Sequence, residues 1–155
     1  MTPAQSRYLA VEAAIGAIFA GTFSLGFCAL FFARLSAVPV FGNGLIVDAA
    51  PQTFMVTLLA GLFATLLARK RIAAGALAPA AGGLIRLPRN AVLRVGLLAL
   101  IVTPIGVGLT ALSLFAGPEH LPILPVLVAK TVYGAVLGAA VAAGCARLAL
   151  ADPLL

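Results

Sequence analysis

The stretch RKRIAAGALAPAAGGLIRLPRNAVLR, Arg69 to Arg94, decides the fold. It carries Arg69, Lys70, Arg71, Arg86, Arg89 and Arg94 and no acidic residue, and a long apolar run stands on either side of it. Lysine and arginine resist passage across a bilayer and collect in cytoplasmic loops. This basic connector, 69–94, splits the chain into two halves of similar make-up and sets the orientation expected for the rest.

Composition says that the apolar runs face lipid. Of 155 residues, 63% are hydrophobic and only 9% charged, against about 25% charged in an ordinary soluble domain. Too little polar surface remains to wet a globule. A membrane span needs about 20 mostly apolar residues, and four stretches qualify, at 8–33, 52–71, 90–116 and 123–149. The first is longer than the apolar core of a cleaved signal peptide, so it reads as a retained helix. The expected fold is an all-α integral membrane protein, one domain of four transmembrane helices.

Charge placement gives the expected topology. Arg7, Arg69, Lys70, Arg71, Arg86, Arg89, Arg94 and Arg147 fall on the connector's side, and only Arg34 and Lys130 on the other. That bias puts both termini in the cytoplasm of a multi-pass protein of the inner (plasma) membrane. Richness in Ala, Gly, Leu and Arg points to a bacterial source. The net charge of +6 sits at the ends of apolar runs, where anionic lipid headgroups account for it better than nucleic acid does.

Three connections remain. The first, 34–51, reads RLSAVPVFGNGLIVDAAP and is too apolar for an open loop, so it should lie at the interface or tuck against the helices. The second outer connection, GPEHLP, reads as a tight turn. In 72–88, Pro79, Gly82, Gly83 and Pro88 discourage a continuous helix, which leaves a tether or an interfacial segment.

The halves can be laid over each other. An offset of 82 residues aligns Arg7 with Arg89, Glu12 with Arg94 and Gly26 with Gly108; an offset of 78 aligns Thr53 with Thr131, Ala68 with Ala146 and Arg69 with Arg147. With two spans per unit, a duplication would be a parallel repeat, with its pseudo-twofold axis along the membrane normal.

Small residues supply the strongest packing signal. Gly134, Gly138 and Ala142 recur every fourth residue in the last span, as do Ala60 and Ala64 in the second. The first span carries Ala13, Ala17 and Gly21, with Gly16, Ala20 and Ser24 alongside. Helices in lipid associate through close backbone approach, which such smooth faces permit. They serve packing within the bundle or docking on another chain.

Polar residues inside the spans are few. Glu12 and Arg94 sit at matching depths near the cytoplasmic ends of the first and third spans, where they either form an intramembrane ion pair or snorkel separately. Asp48, Gln52 and Lys130 gather at the opposite side and, with Thr53, could form an outer polar site; the alternative is that Lys130 snorkels alone. Pro104, after Thr103 and before Gly106, should kink the third helix. Cys28 and Cys145 read as small buried hydrophobes.

The inventory argues against catalysis. Four acids and one histidine supply no metal set, no activated nucleophile and no phosphate loop, so neither an enzyme nor a cofactor is expected. Two readings of function stand. One is a non-catalytic subunit or scaffold that packs against other membrane chains or its own copies. The other is a small oligomeric transporter or channel for a lipophilic solute or ion.

Overall fold

The structure, a computed structural model, describes residues 1–32, 34–42, 44–80 and 88–152. Its element order is α1 (Pro3–Phe32), β1 (Ala37–Pro39), α2 (Leu45–Ala73), α3 (Ala91–Leu114), β2 (His120–Pro122) and α4 (Ile123–Leu150). All four helices are long and apolar enough to cross a membrane, which fits a multi-pass membrane protein. The part of the connector that holds Gly82, Gly83 and Arg86 lies outside the described residues.

Two connections differ from expectation. α2 begins at Leu45, so the apolar Leu45-Ile46-Val47 is its first turn and Pro51 lies inside the helix. Proline there deletes the N–H that would reach the Val47 carbonyl, a loss that membrane helices tolerate. Asp48 falls in that first turn, where a carboxylate complements the helix dipole. The turn read in GPEHLP is instead a strand: β2 pairs antiparallel with β1, setting Ala37 opposite Pro122, Val38 opposite Leu121 and Pro39 opposite His120. A two-stranded ribbon is marginal alone. This one is held by Val38 and Val40, fully buried in a cluster with Cys28, Phe32, Leu45 and Val126.

The helices stand in the order α1, α4, α2, α3, with α4 and α2 central. One end of the bundle carries the β-ribbon and is called the strand end; the other carries Arg69, Arg94, the start of α1 and the end of α4, and is called the basic end. α3 starts cleanly because the Asn90 side chain accepts hydrogen bonds from the backbone N–H groups of Val92 (2.9 Å) and Leu93 (3.1 Å), the usual service of an asparagine cap.

α1 meets α4 along a row spaced by four: Glu12, Gly16, Ala20, Ser24, Cys28 and Phe32 are all buried. Opposite stands the row Val126, Lys130, Gly134, Gly138, Ala142, Ala146. The backbones approach so closely that a Cβ added at Gly16 would lie 2.5 Å from the Gly138 carbonyl oxygen and 2.6 Å from the Ala142 methyl. The contact row of α1 therefore runs through Gly16, Ala20 and Ser24, with Gly21 at its edge. Ala13 and Ala17 lie to one side of it and are only half-buried. On α2, Ala60, Ala64 and Ala68 are buried as well.

Candidate functional site

The buried charged residues at the bundle ends fall into three groups. At the strand end, Lys130 from the second turn of α4 forms an ion pair with Asp48 from the first turn of α2. Gln52, one turn further along α2 and fully buried, donates a long hydrogen bond of 3.4 Å to the Lys130 carbonyl. Thr53 and Tyr133 share a hydrogen bond of 2.6 Å beside them. Asp48, Gln52 and Lys130 are thus brought together across the α2–α4 interface.

Beside this group lies a cavity of about 380 Å³, bounded by α2, α3 and α4 and by Leu121 of β2. Its wall is mostly apolar, with Leu45, Ala49, Leu109, Leu114, Val126 and Ala129, and its polar points are Gln52, Thr110, Ser113, Lys130 and Tyr133. Thr110 and Ser113 are turned back on their own helix, donating to the Gly106 (2.9 Å) and Leu109 (2.8 Å) carbonyls. The Gln52 side-chain amide oxygen is buried with no hydrogen-bond partner among the described residues. A buried acceptor without a donor costs free energy.

α3 passes through Pro104 as one continuous helix. Pro104 itself points outward, and the cavity is lined by residues beyond it, from Leu109 to Leu114.

The second group, at the basic end, corrects the pairing expected for Glu12 and Arg94. Arg94 is buried, with 2% of its side chain exposed, and makes a two-pronged contact with Asp152: Nη1 to Oδ2 at 3.1 Å and Nη2 to Oδ1 at 2.5 Å. Its Nε donates to the Pro88 carbonyl at 3.0 Å. Arg69 reaches the same carboxylate through Nε (3.1 Å) and Nη2 (2.7 Å), and also donates to the Arg89 carbonyl. Burial alone would raise the Asp152 carboxyl, but hydrogen bonds and charge from Arg94 and Arg69 outweigh it and hold its pKa below the ordinary value. This clamp joins the end of α4 to α2 and α3. Sequence reasoning overlooked Asp152; the available signal was an acid directly beyond the last span, on the side of the unpaired arginines.

Glu12 forms the third group, with the Tyr8 hydroxyl, one turn back on α1, as its polar neighbour. It sits on the far side of α4 from α3, so Arg94 is out of reach. Its Oε1 is buried and has no hydrogen-bond partner among the described residues. Next to it is a second cavity, of about 460 Å³, bounded by α1, α2 and α4.

No family model matches the chain, and no curated protein or solved structure is significantly similar to it.

Proposed function

We propose that this chain is a small membrane carrier that holds a lipophilic solute in the strand-end cavity, its polar group met by Gln52 and Lys130. One observation carries the reading: Lys130 of a buried ion pair and Gln52, whose amide oxygen has no partner among the described residues, both line a space of about 380 Å³ with apolar walls. Ligand pockets combine that size and lining with a few convergent polar groups, and intramembrane charges mark solute pathways by default. The small-residue rows of α1 and α4 are consumed within the bundle, which weakens the scaffold reading that rested on them. An accessory subunit stays as the second reading, favoured by the single-sided packing of α3, whose Leu100, Ile101, Ile105 and Leu112 face outward.

The orientation proposed with it puts the basic end in the cytoplasm of a bacterial inner membrane, following the bias of Lys and Arg. Tags near Gly42 and Glu119 should then be reachable only from outside. A tandem duplication belongs to the same proposal. What supports it is that Gln52 touches Lys130, its counterpart at the offset of 78.

The test is to extract the protein gently and identify what accompanies it by mass spectrometry. A bound amphiphile is expected, retained by the native chain and lost in Ala129→Phe, which fills the cavity from α4. A stoichiometric protein partner with no small molecule would overturn the carrier in favour of the subunit.

A further inference from the structure

The cavity beside Glu12 is separate from the strand-end site and has a different chemistry. Glu12 is 4% exposed and lies nine residues into α1, roughly 14 Å along the axis at 1.5 Å per residue. The Tyr8 hydroxyl beside it is neutral and cannot balance a charge, and a carboxylate held there without a countercharge is unfavourable unless a cation joins it. Lys70 lies on the cavity wall, yet it is exposed and forms no ion pair with Glu12 among the described residues. The opposite end of the cavity carries Phe19 from α1 and Phe63 from α2, with ring centroids 6.3 Å apart and planes at 63°. α1 and α2 touch only slightly, so the space between them opens sideways toward the apolar surroundings of the bundle.

We propose that this cleft binds a lipophilic organic cation, with the positive centre on the Glu12 carboxylate and its apolar substituents against Phe19, Phe63 and Leu67. The buried carboxylate supplies the countercharge, and the rings of Phe19 and Phe63, further along the cleft, give its substituents apolar and aromatic contact. A cation of this kind needs no further hydrogen-bond acceptor, and apart from Glu12 and Lys70 the described lining of the cleft is apolar. Lys70 at the rim opposes it, so it sets the affinity without making contact.

Tetraphenylphosphonium is the probe, and tetraphenylborate, of similar size and shape but opposite charge, is its control. Binding to the purified full chain in micelles is measured by equilibrium dialysis against protein-free micelles. Saturable binding of the phosphonium is expected, weakened by about ten-fold or more in Glu12→Gln, tightened in Lys70→Ala and unchanged in Ala129→Phe, which acts only on the other cavity. Phe63→Ala, on a largely exposed position, should weaken binding several-fold without affecting the fold, and it serves if Glu12→Gln does not yield folded protein. Absence of saturable binding, equal binding of the borate, or binding that survives both Glu12→Gln and Phe63→Ala would overturn the proposal. Loss of affinity in Lys70→Ala would overturn it too, because Lys70 would then be holding Glu12 in place.

Discussion

α1 and α3 are the two outer helices of the bundle, and they meet their central neighbours in different ways. α1 lies on α4 along nearly its whole length through a row of small residues, backbone against backbone. α3 is anchored on α2 at the basic end, where Ala91, Arg94, Val95 and Ala99 are buried; beyond Gly106 its remaining residues leave the cavity against α2 and α4. In lipid there is little hydrophobic gain in bringing helices together, so contact persists only where shape or polar bonds hold it. The first seam has the shape. The second has one wedge, Val95 toward Gly61, and one polar clamp, and where both run out a ligand-sized space remains.

The largest effect expected follows from that contrast in glycines. At Gly138 an added Cβ would run into the Ala20 methyl and the Gly16 carbonyl, whereas at Gly108 of α3 it meets nothing within 4 Å. Gly138→Leu should destabilise by about 3–5 kcal/mol through backbone separation, and Gly108→Leu by no more than about 0.5 kcal/mol. Reversible unfolding in mixed micelles reads both. Similar losses at the two sites would show that the seams are alike after all.

Next in size is the clamp. Asp152→Asn leaves Arg94 buried without its counter-ion, and breaking a buried pair from one side costs about 3–5 kcal/mol. The Arg69 side chain is 33% exposed and that of Asp152 20%, so water screens part of the cluster and about 2–3 kcal/mol is the expected loss here. Because α3 depends on this anchor and α1 does not, the amides of α3 should lose hydrogen-exchange protection while those of α1 keep theirs. Uniform loss over all four helices would remove the assignment of the clamp to α3.

The clamp also has a pH signature. The pKa of Asp152 is depressed in the folded chain, so its contribution is fully present above the ordinary carboxylate pKa and disappears as pH falls through the lower, folded value. The native chain should therefore lose stability relative to Asp152→Asn on acidification below about pH 4, the two curves converging. A constant gap between them down to the lowest pH measured would mean that the carboxylate is not what Arg94 and Arg69 hold.

These contrasts also mark what the sequence could carry. Length and hydropathy are properties of a run, so the four spans were legible, and α4 was placed almost to the residue. Asp48, Gln52 and Lys130 were legible as neighbours because all three lie within two turns of the same bundle end. The partner of Arg94 was not. Equal depth on α1 and α3 suggested Glu12, but only residues facing the centre of the bundle can meet their counterparts; Gln52 and Lys130 do, while Glu12 and Arg94 are separated by the central helices. The row on α1 was read through Ala13 and Ala17 because several rows of small residues interleave there, and only the neighbour's surface selects among them. The β-ribbon, at three residues per strand, is too short to carry a period.

The smallest effect expected lies where the second seam gives way to the cavity. Gly106 carries α3 past Tyr133, and a Cβ there would meet the Tyr133 hydroxyl and Thr53. Tyr133 bonds Thr53 at 2.6 Å across the α2–α4 interface, so the hydroxyl joins the central helices and limits how near α3 can come. Tyr133→Phe deletes this bond and should cost about 1 kcal/mol in unfolding free energy. It leaves the aromatic wall of the cavity in place, so retention of a bound amphiphile should change little, whereas Gly106→Val should push α3 outward and release it. If Tyr133→Phe alone empties the cavity while stability is unchanged, the hydroxyl is a ligand contact and not a spacer, and the opening of this seam is set by what occupies it.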